Sequence, residues 1–548
     1  MDSRYVIGID FGTLSGRAVL ADAANGRVLA ESAMDYPHGV ISTELSGKKL
    51  PKDFALEDPA DYLEVLEKTV SAVVKESGVR PEEVIGLGLD VTSCTLVPVD
   101  ENGTPLSFLP EFSDNPHAYV KLWKHHAAQP YADRLKELLE KNDPERLHRY
   151  GDHISSEWLF PKLAEIAEKA PEIYAAADRF LDMPDFLTAS LTGNFTASAC
   201  GAGYKGLWDP ETGYPDRDLI TALHPALDGV LETKLRAPVV PLGSRVGYLT
   251  GEWAAKLGLT RNTAVAAGNV DAHVSVPGVG VAESNALLMI MGTSTCAMLV
   301  SPECSMVSGI CGVIPDGILP GQYGYEAGQP CVGDALGWFV RNAVPGWYAG
   351  GEAGEGELHG ILTERASRLA PGESRLIALD WWNGNRSILD NAALSGALVG
   401  LTLQTTPEMI YRAMIESTAF GMRRIIRHYE ESGVPVRKLY ACGGISVKNA
   451  LMMQIYADVL GREIYVSPEK QAPAKGSAMY GAAAAGESAG GYRDIYAAAQ
   501  AMADTTYRVY TPDPENYGVY DRLYGIYTRL HDHFGIEERS LMEELHSF

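Results

Sequence analysis

Apolar runs of strand length alternate with stretches of helical period along this chain. Tyr5 to Ala21 reads YVIGIDFGTLSGRAVLA, an apolar strand, a Gly-Thr turn rich in hydroxyls, and a second apolar strand leaving it. Ala286 to Val300, ALLMIMGTSTCAMLV, repeats the arrangement. The turns begin at Gly12 and Gly292, close to half a chain length apart, so the pattern predicts two related halves. After Asp58-Pro59, apolar positions recur at Tyr62, Leu63, Leu66, Val70, Val73 and Val74 up to Gly78. That spacing predicts a helix with an acidic N-cap, proline in its first turn and a glycine stop. Val84 to Asp90, VIGLGLD, is apolar almost without interruption and reads as a strand buried on both faces, which favours a mixed or parallel sheet covered by helices. The second half repeats this order with a helix from Thr406-Pro407 to Ser432, a stop at Gly433, and a strand from Lys438 to Cys442. Pro277-Gly278 and Gly280 interrupt the pattern and set domains at residues 1–280 and 281–548. The alanine run 482–485 predicts a helix packed closely through small side chains.

Composition narrows the choices. A chain of 548 residues exceeds what one hydrophobic core supports. With 46% hydrophobic and 21% charged residues it reads as an ordinary globular protein. A formal net charge of -25 argues against nucleic-acid and anionic-membrane partners, so an anionic substrate has to be held by local donors. The seven cysteines are scattered without a C-x-x-C pair, which indicates neither a disulfide framework nor a zinc site and suits a reducing cytoplasm. Met1-Asp2-Ser3-Arg4 leads straight into the first strand, so no signal segment is expected.

The candidate chemistry centres on the turns. Gly-Thr tips offer backbone N–H groups and hydroxyls to an anion, and two of them suit a polyphosphate, which makes a nucleotide the first ligand to consider. Asp10, just before Phe11-Gly12-Thr13, suits Mg²⁺, which takes one or two carboxylates plus phosphate oxygens; the plainer alternative is a turn-stabilising aspartate. Gly268-Asn269-Val270-Asp271-Ala272-His273 puts a second carboxylate after the strand Ala264 to Ala267. Asp271 can there accept a hydroxyl proton as that oxygen attacks phosphorus, or merely cap a helix. His273 reads as a packed or solvated histidine. Cys442-Gly443-Gly444-Ile445-Ser446 joins a strand to a helix reaching about Leu460, and paired glycines let a flat ring lie against the backbone. Ser93, Lys205 and Glu326 are assigned to the polar interior of the first half, with ordinary loop positions as the alternative. Trp381-Trp382 either floor a ligand site or seal a domain interface. Tyr517, Tyr520, Tyr524, Tyr527 and Phe534 recur at helical spacing and predict core packing.

Taken together, Asp10-Phe11-Gly12-Thr13, Gly268-Asn269-Val270-Asp271, Met291-Gly292-Thr293-Ser294 and Gly443-Gly444-Ile445-Ser446-Val447-Lys448-Asn449 resemble, in order, the motifs of the FGGY family of carbohydrate kinases within the actin-like ATPase superfamily. Leu159-Phe160-Pro161-Lys162-Leu163 is similar to the family's first signature. Asp90-Val91-Thr92-Ser93-Cys94-Thr95, the segment Asn115 to His126 and Asp380 to Arg386 look most like the family's ribulose-phosphorylating group. Where many members carry W-x-D-x-R, this chain has Trp123-Lys124-His125-His126.

The resemblance implies an α/β fold of two actin-like, ribonuclease H-like lobes, each a mixed sheet covered by helices, with a cleft between them. It implies phosphorylation of the terminal 5-hydroxyl of a ketopentose, L-ribulose first, in L-arabinose breakdown. D-ribulose, ribitol or xylulose as acceptor, or a non-kinase actin-like ATPase, are the alternatives. Asp271 would be the general base and Asp10 the Mg²⁺ site. Gly12, Thr13 and Arg17, with Gly292, Thr293 and Ser294, would line the triphosphate of ATP; Gly443, Gly444 and Asn449 would bound its adenosine. Ser93, Lys205, Asp271 and Glu326 would surround the sugar. The expected partners are these small molecules, with no nucleic acid and no membrane, and a homodimer is left open.

Overall fold

The computed structural model describes residues 3–348, 354–546 and 548. Its chain divides into two compact units, Met1–Ala282 with Ile314–Gly324 and Gln471–Asp504, and Glu283–Val313 with Tyr325–Lys470 and Thr505–Phe548.

In the first unit, strands Tyr5–Phe11 and Ser15–Asp22 form the antiparallel hairpin that the opening pattern predicts. The strand Val84–Val91 runs parallel beside it, with Gly8 opposite Gly88 and Asp10 opposite Asp90. The sheet continues from Arg245–Tyr248 through Ala264–Ala266, Val84–Val91, the hairpin and Val28–Asp35, while Asn269–Val270 pairs beside the end of Val84–Val91. All eight residues of Val84–Val91 are buried, as an uninterrupted apolar run requires. The helix Pro59–Ser77 covers the hairpin side, and its ends follow the sequence signals. The Asp58 carboxylate accepts the Ala60 amide at 2.9 Å, and Gly78 stops the helix with a φ of 67°. Its inner face carries Tyr62, Val65, Leu66, Val70 and Val73, each fully buried.

The helix Ala472–Ala485 also packs on this sheet, directly on backbone. A Cβ at Gly8 would stand 1.7 Å from the Ala474 carbonyl oxygen, and one at Gly88 would stand 2.0 Å from that of Ser477. Glycines in the strands and small residues in the helix are thus one requirement seen from two sides. This contact explains why the first unit takes in residues 471–504, far beyond the boundary near residue 280 expected from sequence. A glycine floor calls for a small-residue helix but does not say from which part of the chain it comes.

In the second unit, Ala286–Met291 and Thr295–Ser301 form the other hairpin, with Lys438–Cys442 parallel to it. The sheet order is Gly312–Pro315, Tyr323–Gln329, Thr295–Ser301, Ala286–Met291, Lys438–Cys442, Ile464–Val466, Arg508–Tyr510. The first unit's hairpin-plus-parallel-strand arrangement recurs here, so both sheets are mixed. The long helix Pro407–Glu431 and the closing helix Pro514–Asp532 belong to this unit. Phe420 lies among Tyr520, Tyr524 and Tyr527, 5.4 Å from the last of these, so these three tyrosines are core, whereas Tyr517 at the helix start is exposed and Phe534 lies beyond the helix, half-buried. Trp381 is buried against His531, and the neighbouring Asp380 accepts the Tyr527 hydroxyl at 2.7 Å. Trp381 therefore seals the closing helix to its own unit.

Candidate active site

In the first unit, the carboxyl ends of neighbouring strands carry the candidate side chains. Gly12 donates its amide to the Ser15 carbonyl at 3.0 Å, which closes the first Gly-Thr turn. Thr13 Oγ1 accepts the Trp123 indole N–H at 3.2 Å. Arg17, opposite Asp10 in the hairpin, donates to Gln471 Oε1 at 3.0 Å. Asp10 and Asp90 sit side by side in register at the ends of parallel strands. Burial holds the Asp10 carboxyl above the ordinary carboxylate range, against the opposing pull of Asp90 and Arg17. Burial, reinforced by the Asp10 charge, pushes Asp90 well above that range. Asp90 Oδ2 accepts the Ser477 hydroxyl at 2.6 Å, while its Oδ1 is buried without a hydrogen-bond donor. Two close carboxyls in low dielectric retain a proton between them, and a hard divalent cation displaces such a proton.

Asp271 is the first residue of the helix Asp271–Gly278, directly after the strand Asn269–Val270 that pairs with Asp90 and Val91. Its Oδ1 accepts the Ala272 amide at 2.6 Å, so the carboxylate turns back on its own helix start. Asp271 also acts electrostatically on Asp90, which puts Asp10, Asp90 and Asp271 in one field. His273 is buried, with Nδ1 3.0 Å from Cys200 Sγ and its ring 4.3 Å from that of Tyr204. It is a packed histidine, and among the described residues no group of three or more His, Cys, Asp and Glu side chains forms a metal cluster. The described cysteines are free thiols.

Ser93 follows the strand Val84–Val91, and its hydroxyl is buried without a partner. Cys94, next to it, holds a left-handed φ of 62°. Lys205 lies in the last turn of the helix Ala199–Gly206 and is almost fully buried, its ammonium 5.8 Å from the Tyr204 ring centre. A small cavity of about 50 Å³ borders Cys94, Asp182 and Lys205, so the turn after Ser93 and Lys205 meet at one place. Glu326 departs from expectation. It belongs to the second unit, on the strand Tyr323–Gln329, and its carboxylate accepts an Arg386 N–H at 3.1 Å. Its grouping with Ser93 and Lys205 in the first half gives way to the boundary near residue 280, beyond which the strand Tyr323–Gln329 joins the second sheet.

The second unit holds a cavity of about 750 Å³. Gly292 and Thr293 of the second Gly-Thr turn border it, as do Gly444 and Asn449 of the Gly-Gly turn. Gly292 closes its turn by donating to the Ser294 carbonyl at 2.8 Å. Gly443 stands behind the wall with a φ of 95°, its missing Cβ 2.5 Å from the Met291 carbonyl oxygen. The helix after it breaks at Asn449 into Gly444–Lys448 and Ala450–Leu460, because the Asn449 side chain caps the second piece through the Met452 amide at 3.0 Å. Sequence reasoning missed Asp334, His359 and Tyr411 of this cavity, which follow no motif spacing, and gave no role to Lys448 although it lies inside the Gly443 to Asn449 motif. It also missed Asp90 as a site residue, although VIGLGLD ends as YVIGID does, in an aspartate at a buried strand end.

Residues 5–278 match the model of the FGGY family of carbohydrate kinases, N-terminal domain, and residues 287–485 match that of the C-terminal domain. The chain is 51% identical over 548 residues to a ribulokinase of Geobacillus thermodenitrificans (strain NG80-2), covering 100% of this chain and 97% of that protein. It is 45% identical over 536 residues to a ribulokinase of Mycolicibacterium smegmatis, covering 97% and 94%. In fold it is similar to a xylulose kinase from Rhodospirillum rubrum, with a TM-score of 0.80, 23% identity, and 97% and 99% of the two chains covered.

Proposed function

Because the chain belongs to the FGGY family of carbohydrate kinases, we propose that this sugar kinase transfers the γ-phosphoryl group of ATP to the 5-hydroxyl of L-ribulose. One observation carries the reading. Asp10, Ser93 and Asp271 emerge at one end of the first unit's parallel strands, and in the second unit the glycine turns at 292 and 444 border one cavity. The full-length likeness to proteins named ribulokinase supports L-ribulose as acceptor.

In this reading the Ser93 hydroxyl, the Lys205 ammonium and the Asp271 carboxylate hold the open-chain ketose, with Glu326 as a further contact. The 5-hydroxyl oxygen attacks the γ-phosphorus, its proton passes to Asp271, and the bond from that phosphorus to the β,γ-bridging oxygen breaks, releasing ADP. Gly12, Thr13 and Arg17 with Gly292, Thr293 and Ser294 offer amides, hydroxyls and one guanidinium to the phosphates, while Gly443, Gly444 and Asn449 bound the adenosine. The adjoining carboxyls of half-buried Asp10 and buried Asp90 fit a hard cation, and Asp10 would hold Mg²⁺, whose charge offsets that of the phosphates. Protein groups otherwise contribute positioning and charge rather than covalent chemistry.

ADP formation coupled to a spectrophotometric readout, run over L-ribulose, D-ribulose, ribitol and D-xylulose, tests the assignment. L-ribulose should give the highest kcat/KM. ATP turnover indifferent to every acceptor would refute the kinase reading, and a higher value for another acceptor would replace L-ribulose.

A further inference from the structure

Lys162 lies on the helix Leu159–Lys169 with no exposed surface. A lysine is seldom buried this completely, because removing an ammonium from water is costly unless every proton finds an acceptor. Here the three protons meet three backbone carbonyls: Cys94 at 2.6 Å, Lys121 at 3.0 Å and Leu122 at 3.0 Å. A methionine would fill similar space without that cost, so the charge has a use that packing alone does not supply.

The acceptors belong to two separate stretches of chain. Cys94 is the left-handed residue after Ser93, in a turn closed by Thr95 Oγ1 donating to the Thr92 carbonyl at 2.8 Å and tied to Asp182 through the Thr95 amide at 2.8 Å. Lys121 and Leu122 lead directly into Trp123, whose indole N–H reaches Thr13 of the first Gly-Thr turn. One turn along the same helix, Glu165 grips this second stretch by its side chains, accepting from Lys121 Nζ at 3.1 Å and lying 2.9 Å from His125 Nε2. The helix therefore holds the 121–125 stretch at backbone and side chains, but the 93–94 turn through the Lys162 ammonium.

We propose that Lys162 is a positioning residue for the acceptor sugar: by clasping the Cys94, Lys121 and Leu122 carbonyls it sets the Ser93 hydroxyl relative to Trp123 and the first phosphate turn. The inference rests on the ketopentose-kinase reading above. Lys162 does not touch substrate; it acts through Ser93. Its loss should therefore be felt in recognition of the sugar and not of ATP.

The test is steady-state kinetics on wild type, Lys162→Met and Lys162→Gln, and on Ser93→Ala with and without Lys162→Gln, with urea unfolding midpoints for each. Lys162→Met should raise KM for L-ribulose by about tenfold while KM for ATP stays within about twofold. Lys162→Gln, which keeps two donors, should fall between wild type and Lys162→Met. In the Ser93→Ala background the Lys162→Gln effect on that KM should largely vanish, since the hydroxyl it places is gone. Equal effects in both backgrounds, an unmoved KM for L-ribulose, or equal rises in both KM values would overturn the proposal. So would failure of both Lys162→Met and Lys162→Gln to fold, which would make Lys162 a support of the whole unit. Wild type without ribulose-dependent turnover would instead overturn the functional reading, and this inference with it.

Discussion

Substituting Gly443 by alanine probes the link between backbone geometry and nucleotide binding. Gly443 has a φ of 95° and a ψ of 166°, an essentially glycine-only region that costs any other residue roughly 1–3 kcal/mol. Its new Cβ would also stand 2.5 Å from the Met291 carbonyl oxygen, where ordinary contact starts at 3.4 Å. The obstacle is backbone at the end of a central strand, so it cannot swing aside as a side chain would; such overpacking costs about 1–3 kcal/mol. Together these predict a loss of stability on the order of 2–6 kcal/mol. Relief requires moving either the Gly-Gly turn or the strand that carries the second Gly-Thr turn, by nearly an ångström. A shift of that size in a positioning element costs on the order of 100-fold in rate, which should appear in kcat/KM for ATP while KM for L-ribulose changes little. Gly444→Ala is the matched control, because a Cβ there meets nothing within 4 Å. It should unfold at the wild-type urea concentration and raise KM for ATP only modestly, through a methyl group at the cavity wall. A Gly443→Ala protein with wild-type unfolding midpoint and wild-type KM for ATP would refute the reasoning.

Other outcomes follow from the same geometry. Asp271→Asn should lower kcat by about 10²- to 10⁴-fold without moving the unfolding midpoint, checked by single-turnover phosphoryl transfer; undiminished turnover would remove Asp271 as base. Gly8→Ala places a Cβ 1.7 Å from the Ala474 carbonyl oxygen, so the alanine helix has to lift from the sheet and the urea midpoint should fall by more than in any of the site variants. Asp182 is half-buried, and desolvation raises its carboxyl from 3.8 to about 6. The folded state thus retains a proton that the unfolded chain releases, and this contribution is full below pH 4 and fades as pH rises toward 6. Asp182→Asn should abolish that part of the slope of stability against pH, read as the difference between wild-type and variant urea midpoints across this window.

Much of the fold was legible in short stretches because local rules and burial agreed there. Asp58-Pro59 and Gly78 bound a helix where capping chemistry places them, and Val84–Val91 is buried throughout because an unbroken apolar run has no face for water. The closing helix packs through Tyr520, Tyr524 and Tyr527, which recur on one face. The Gly-Gly turn was found, but its helix was read as unbroken, because Asn449 caps the second piece with a side chain that helical periodicity does not register. Glu326 stands on the second sheet, on the side of residue 280 where the domain boundary puts it and not with Ser93 and Lys205, because a candidate grouping by side-chain chemistry alone carries no information on which sheet holds a strand.

The sequence by itself determined the duplicated strand-turn-strand arrangement, the two Gly-Thr turns and Asp271 at a strand end, because each depends on residues adjacent in the chain. Only tertiary structure decided that residues 471–504 complete the first unit, that Ser477 reaches Asp90, and that the Lys162 ammonium joins two distant turns. Those contacts satisfy buried charges and glycine-floored strands, and the need for a partner is written locally whereas its identity is not. A buried ammonium or carboxyl demands hydrogen bonds from whatever the fold brings near, and only the folded chain specifies what that is.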